Sequence, residues 1–160
     1  MEIHHISAER LTLGRVREII ENHIPLALSE DARQRIIRCR SYLDEKMERN
    51  AQPIYGITTG FGSLCNISVG KEDLATLQKN LVMSHACGTG ERVPREIVRL
   101  MLFLKAQSLS YGHSGVQLET VERLIDLYNL DLLPVVYQQG SLGASGDLAP
   151  LAHLSLPLIG

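Results

Sequence analysis

A glycine-rich loop over residues 140–150, with the sequence GSLGASGDLAP, contains the residues that could do unusual chemistry. Glycine stands there at every third position, which permits tight turns and close approach of backbone segments. Within Ala144-Ser145-Gly146, the backbone nitrogen of Gly146 could attack the carbonyl carbon of Ala144 and close a five-membered ring. Loss of water from the ring and from Ser145 would leave a methylidene-imidazolone, an electron-poor double bond. Because the standard side chains include no electrophile, this ring would be a cofactor built from the chain itself.

The same loop also fits an unmodified structure. It would then lead into a helix, with Asp147 as the N-cap and Pro150 in the first turn. Phosphate binding is disfavoured, because the glycines are accompanied neither by the lysine of a P-loop nor by the strand-to-helix unit of a dinucleotide fold. The tripeptide alone therefore does not distinguish between an electrophile and an unmodified loop.

A second glycine-rich segment, Tyr55-Gly-Ile-Thr-Thr-Gly-Phe-Gly62, follows Pro53 and predicts a loop. Loops of this kind often carry function. A tyrosine among glycines can be catalytic, or it can pack against the loop or cap it. From these residues alone, both roles remain open for Tyr55.

A third stretch combines an apolar helical stripe with a histidine. The stripe predicts a helix that begins at Lys71 or Asp73 and ends at Gly88, and His85 continues it. The stripe consists of Leu74, Leu77, Leu81 and Val82. By spacing alone, His85 fits a hydrogen-bonded core residue as well as a ligand-binding one.

Taken in order, Tyr55 to Gly62, residues 81–88 (LVMSHACG) and residues 140–154 (GSLGASGDLAPLAHL) resemble the aromatic amino acid ammonia-lyases, the family of histidine and phenylalanine ammonia-lyase. The resemblance runs from about Tyr55 to Gly160 without an evident gap. It implies a mainly α chain, the N-terminal part of the helical ammonia-lyase fold, with short extended segments and glycine-rich loops. It also implies a lyase of histidine catabolism that eliminates ammonia from L-histidine to give urocanate.

The resemblance further assigns roles to individual residues. The cofactor would be 4-methylidene-imidazol-5-one (MIO), cyclised autocatalytically from Ala144, Ser145 and Gly146, and it would take the substrate amine as a covalent adduct. Tyr55 would remove the β-proton, which requires a positive field because an unperturbed phenol has a pKa near roughly 10. The remaining assignments are substrate binding by Ser84, His85 and Gly62, and support of the loop by Gly143 and Asp147.

The pair Ser84-His85 is the basis for the choice of histidine as substrate. In the family that the chain resembles, histidine-specific members have Ser-His at this place, whereas phenylalanine-specific members have an apolar pair. Thr58 points the other way, because histidine-specific members often have Asn there. A tyrosine or phenylalanine ammonia-lyase, or an aminomutase with the same electrophile, therefore stays an alternative.

Composition excludes several other classes of function. The 160 residues carry a net charge of -2 and are 44% hydrophobic, which fits one domain with a core and gives no electrostatic case for nucleic acid or an anionic membrane. The arginines between Arg33 and Arg40 are interleaved with acids, which favours a solvated helix face. Three widely spaced cysteines without a CxxC pair argue against disulfides and a metal site, and indicate the cytoplasm.

Several scaffold helices are also predicted. One is capped by Thr12, one runs from Ser29 to about Asn50, and one from Pro94 to about Tyr111 is apolar on nearly every side and expected to be fully buried. A further helix is capped by Ser114, with Leu118, Val121, Leu124, Ile125 and Tyr128 facing inward. Residues 129–139 are expected to be extended.

The last residues, 148–160, contain no Asp, Glu, Lys or Arg. Chain ends are usually polar, so we expect residues 1–160 to be the N-terminal portion of one catalytic domain, truncated before most of the central helical bundle. The resemblance implies a homotetramer for the full-length enzyme, with active sites shared between subunits. The isolated chain is expected to be inactive, with the tripeptide linear, and a non-catalytic helical fragment is the remaining alternative.

Overall fold

A computed structural model describes residues 2–49, 52–62, 65–143 and 146–160. The described residues are mainly α, as predicted, with short extended segments and glycine-rich loops between the helices. The α-helices are α1 (Leu13–Glu21), α2 (Glu30–Arg49), α3 (Leu74–His85), α4 (Arg95–Leu109), α5 (Leu118–Asn129) and α6 (Ala149–Ser155). The strands are β1 (His4–Ile6), β2 (Leu26–Leu28), β3 (Thr89–Arg92) and β4 (Tyr137–Gln139). No helix in these ranges is long and apolar enough to cross a membrane.

The chain divides into two compact units, the first of which comprises Met1–Glu48 and Pro94–Leu133. Its strands β1 and β2 pair in parallel, and its helices α4 and α5 pack on each other. The Thr12 side chain accepts a hydrogen bond from the Arg15 amide, which gives α1 the N-cap expected from the sequence. Side chains from both strands and four helices form its core, namely Ile6, Ile19, Leu26, Ile36, Leu102, Phe103, Val121 and Tyr128.

The second unit comprises Arg49–Val93 and Pro134–Gly160, and it contains every residue that the sequence singles out for chemistry. Helix α3 packs against α6, and β3 pairs antiparallel with β4. A single bridge between Thr59 and Ser68 closes the Tyr55 loop. Buried side chains are few among its described residues and come mainly from α6, so turns and hydrogen bonds decide much of its local geometry.

Three predicted helices differ from the structure. Helix α4 is not fully buried, because Ile97 and Leu104 are 47% and 43% exposed and only one face is covered. Helix α5 begins at Leu118 rather than after Ser114, because Gly115, directly after Ser114, adopts φ of +68°, which a right-handed helix cannot contain. Helix α3 ends at His85, before Gly88.

Candidate functional site

The Tyr55 loop is a hydrogen-bonded turn. Thr58 accepts the Ile54 amide through its hydroxyl at 2.8 Å, and its own amide donates to the Ile54 carbonyl at 3.0 Å. The next residue, Thr59, is completely buried and anchors the turn to the interior. The Tyr55 side chain is 63% exposed. The loop therefore holds its backbone firmly while presenting the phenol to the outside.

Phe61 links Tyr55 to His85 in a row of three rings. The ring centroids of Tyr55 and Phe61 are 5.7 Å apart, and those of Phe61 and His85 are 5.6 Å apart with the rings nearly perpendicular. Both distances are typical of favourable aromatic pairs. Gly56 makes room for this row, because it has φ +70° and an added Cβ would lie 2.7 Å from the Phe61 ring. Phe61 was not among the residues predicted from the sequence to act in the site, although it stands in the motif that contains Tyr55.

The position and tautomer of His85 follow from its hydrogen bonds. Its Nδ1 lies 2.7 Å from the carbonyl oxygen of Leu81, one turn earlier in α3. Because a carbonyl oxygen only accepts, we place a proton on Nδ1. The Ser84 hydroxyl lies 3.2 Å from the same nitrogen and donates to the Leu81 carbonyl at 3.0 Å. In the neutral ring, Nε2 is then left as a hydrogen-bond acceptor on a half-buried side chain.

Gln78 ties the Tyr55 loop to α3. Its Nε2 donates to the carbonyls of Gly56 and Ile57 at 3.1 and 3.2 Å. Gln78 and His85 are seven residues apart and so lie on one side of the helix. Sequence reasoning missed Gln78, although this spacing was readable beside the apolar stripe.

Beside Ser84 lies a mainly apolar cavity of about 230 Å³. It lies between α3 and the segment that follows the Tyr55 loop, where Ile67 is 57% exposed. Its lining is Gly60, Ile67, Val69, Leu77, Asn80, Leu81 and Ser84. The cavity could hold a small apolar group next to the Ser84 hydroxyl.

The glycine-rich loop is closed by the Asp147 carboxylate. Its Oδ1 accepts the Ser141 amide at 2.8 Å, the Ser141 hydroxyl at 3.1 Å and the Ala149 amide at 3.1 Å. These bonds, that of the Ser141 amide first, lower the pKa of Asp147 below its ordinary value. The N-cap position of α6 is occupied by Leu148, so Asp147 bonds the start of this helix from one residue further out than predicted.

The predicted electrophile is only partly covered by the structure, because Ala144 and Ser145 lie outside the described residues. The residues on either side, Gly143 and Gly146, are hydrogen-bonded to each other. The Gly146 amide donates to the Gly143 carbonyl at 3.4 Å, and Gly146 has φ +113°. A Cβ on Gly143 would lie 2.7 Å from the Gly146 oxygen, so this close approach needs glycine there.

A buried histidine on α6 connects the glycine-rich segment to the end of α3. His153 is 8% exposed, accepts the Gly88 amide through Nε2 at 2.9 Å, and packs edge-on against Tyr137 with centroids 5.3 Å apart. Gly88 was predicted to end α3, but its lack of a side chain instead admits His153. His153 also lies in the GSLGASGDLAPLAHL run, where only its place in a motif could have drawn attention to it.

The structure brings the predicted residues together in two clusters. Tyr55 and His85 meet through Phe61, with Ser84 beside His85. The second cluster is Gly143, Gly146 and Asp147 with their partners. Gly62 has φ +56° and lies exposed, with free space where a Cβ would stand.

Comparison with known proteins identifies the group to which these features belong. Residues 11–160 match the family model described as aromatic amino acid lyase. The chain is 52% identical over 150 residues to a histidine ammonia-lyase of Symbiobacterium thermophilum and 53% identical over 150 residues to one of Deinococcus radiodurans. These alignments cover 94% of the chain, but only 29% and 28% of the relatives.

A solved structure shares the fold. The crystal structure of a tyrosine aminomutase from Streptomyces globisporus matches with a TM-score of 0.89 and 31% identity, over 100% of this chain and 30% of that one. The chain thus spans about 30% of the length of the proteins that it matches. A family match over nearly all of its residues shows that the chain belongs to the aromatic amino acid lyases.

Proposed function

We propose that this chain is the N-terminal portion of a carbon–nitrogen lyase that eliminates ammonia from L-histidine to give urocanate. The observation that carries the choice of substrate is the bonding of His85, whose Nδ1 is tied to the Leu81 carbonyl while Nε2 is left to accept. An imidazole substrate offers a ring N–H to that acceptor. A ring without a donor would leave Nε2 unpaired, and sites of this kind reject such rings strongly.

Tyr55 is proposed to remove the β-proton of the substrate. Its phenol is exposed at one end of the ring row, and His85, which would hold the substrate ring, stands at the other. Gln78 holds the backbone beneath Tyr55. A fixed base at a set distance from a fixed ring is the arrangement that stereospecific proton removal needs.

The cyclised Ala144-Ser145-Gly146 would supply an electrophilic double bond that takes the substrate amine and makes it a leaving group. The described residues at this place, Gly146 and the preceding Gly143, support such a ring. A Cβ on Gly143 would lie 2.7 Å from the Gly146 oxygen, so this close approach needs glycine, and Gly146 has a backbone conformation that glycine adopts readily. Asp147 holds the loop that contains them.

Product analysis of the full-length enzyme tests this function. With histidine, tyrosine and phenylalanine offered separately, we expect urocanate to be the main product. Tyr55→Phe should lower kcat by about a hundredfold or more, as expected for loss of a general base. Tyr42→Phe is the matched control, because Tyr42 is 66% exposed on α2 in the other unit. Absence of urocanate from an otherwise active enzyme would refute histidine as substrate.

A second candidate is a tyrosine or phenylalanine ammonia-lyase, or an aminomutase, with the same electrophile. The fold similarity to the tyrosine aminomutase favours it, and so does Thr58. The hydroxyl of Thr58 is used inside its own turn by the Ile54 amide. Release of an aryl acrylate or a β-amino acid in the same assay would select this candidate.

We further propose that the isolated 160 residues are inactive and that the full-length enzyme is a cytoplasmic homotetramer. None of the described residues of α3 is fully buried, although its stripe is apolar, and Met83 is 53% exposed. Further chain or subunits would cover this helix and compress the loop. We therefore expect that the purified chain releases no ammonia and that its intact mass shows no loss of water. Measurable release of ammonia from histidine by this chain would contradict the proposal.

A further inference from the structure

The Asp147 carboxylate joins the two ends of the loop that contains the tripeptide. On one side it accepts the amide and hydroxyl of Ser141, and on the other it accepts the amide of Ala149. Hydrogen bonds to a charged oxygen are stronger than those between neutral groups. We use the term clasp for Gly140, Ser141 and Asp147 together.

Gly140 makes the clasp possible. An added Cβ at this residue would overlap both carboxylate oxygens of Asp147 and the carbon between them. Since φ of Gly140 lies outside the left-handed region, glycine is needed there for space and not for backbone conformation. An alanine would fit the backbone but would push the carboxylate away from Ser141.

The residues of the clasp flank Gly143 and Gly146, which are hydrogen-bonded to each other. The amide nitrogen of Gly146 bonds to the Gly143 carbonyl, one residue before the carbonyl of Ala144 that it would attack. Holding the loop ends together leaves the enclosed residues fewer conformations and so lowers the entropy that ring closure must still remove. Loss of the clasp should therefore slow the cyclisation, whereas the unfolding midpoint should change little.

We propose that Gly140 and Ser141 are positioning residues for the cyclisation of Ala144-Ser145-Gly146, and that they act through the carboxylate of Asp147. This inference rests on the proposed function. The ring closes when the Gly146 nitrogen bonds to the Ala144 carbonyl carbon, and one water leaves from that carbon. The second water takes the Ser145 hydroxyl together with a proton from its Cα, so neither an oxidant nor a reductant is required.

The test follows the intact mass of the full-length enzyme during cell-free synthesis, since cyclisation removes two waters. Ser141→Ala should slow the loss of water by roughly three- to tenfold, because one of two bonds from that residue to an exposed charge disappears. Gly140→Ala should slow it further. Ser155→Ala is the control, because the Ser155 hydroxyl donates to the Leu151 carbonyl within α6 and not to the clasp. Its rate should equal that of the parent.

A double variant distinguishes a positioning role of Ser141 through Asp147 from a general loss of stability. If Ser141 acts through Asp147, Ser141→Ala should cause no further slowing in an Asp147→Ala background, and unfolding midpoints should change little. Equal rates for Ser141→Ala and the parent, or effects that multiply in the double variant, would overturn the clasp. A parent that keeps its full mass would instead refute the proposed function.

Discussion

The contact between Gly88 and His153 offers a sharp test of the second unit. An alanine at Gly88 would place its Cβ 2.9 Å from Nε2 and 3.1 Å from Cδ2 of His153, and 3.2 Å from the Tyr137 Cβ. His153 is 8% exposed and cannot swing away freely. The same Nε2 accepts the Gly88 amide, so any displacement of the ring also weakens that hydrogen bond.

The expected loss of stability for Gly88→Ala combines three effects. Overpacking costs about 1–3 kcal/mol, and the weakened hydrogen bond costs up to about 1 kcal/mol more. Alanine also lowers the conformational entropy of the unfolded chain, which offsets about 0.4–1 kcal/mol of this loss. With the middle of each range, we expect a net loss of about 2 kcal/mol, which lowers the unfolding midpoint of a chain of this size by about 4–8 °C.

Thermal unfolding followed by circular dichroism measures this effect, with Gly14→Ala as the matched control. Gly14 lies in α1, and an added Cβ there meets nothing within 4 Å. Alanine should therefore stabilise the chain by up to about 1 kcal/mol. In a His153→Ala background, the cost of Gly88→Ala should fall by about 1 kcal/mol or more. Equal midpoints for Gly88→Ala and Gly14→Ala would refute the steric reasoning.

Two further predictions concern the candidate site. The pKa of the Asp147 carboxyl, followed by NMR, should lie below its ordinary value, chiefly because of the Ser141 amide bond, and should rise when Ser141→Ala removes the hydroxyl bond, since both bonds stabilise the charged form. The clasp is then present above the unfolded-state pKa and is lost as the pH falls through the lowered folded-state pKa. Gln78→Ala should speed amide exchange in the Tyr55 loop and lower kcat of the full-length enzyme by several-fold, because the backbone under the base loses two bonds.

Each of these predictions has a control and a contradicting result. For the titration, Ser155→Ala should leave the pKa of Asp147 unchanged, and an equal rise in both variants would show that Ser141 is not its cause. For Gln78, the comparison is Gln34→Ala, whose amide bonds Glu30 on the exposed side of α2. Similar exchange rates in the Tyr55 loop for both glutamine variants would contradict the proposed tie.

Local signals in the sequence predicted much of the fold. The Thr12 cap, the apolar periodicity of α1 to α5 and the breaks at proline and glycine placed most helices, because these features act over one or two turns. The exposed face of α4 was not predictable from composition, since apolar residues occur on it as well as on the buried face. The start of α5 was misplaced because the positive φ of Gly115 excludes it from a right-handed helix, and the sequence does not state a dihedral angle.

The candidate site was likewise predictable from the sequence only in part. Motif order predicted Tyr55, Ser84, His85 and the glycine-rich loop from sequence, and family membership is confirmed by the comparison. The roles of these residues stay predictions. Phe61, Gln78 and Ser141 escaped notice because each acts through a contact with a residue far enough away in the chain that only folding reveals it.

The amino-acid sequence by itself determined the helical class and the family, and it predicted the residues that would form an electrophile, since these depend on residue type and short-range order. Tertiary structure alone decided which nitrogen of His85 is free, which side chain connects it to Tyr55, and what closes the glycine-rich loop. The physical reason is that hydrogen bonds form only at donor–acceptor distances of about 3 Å, within a few tenths of an ångström, between residues that packing, and not chain order, brings together.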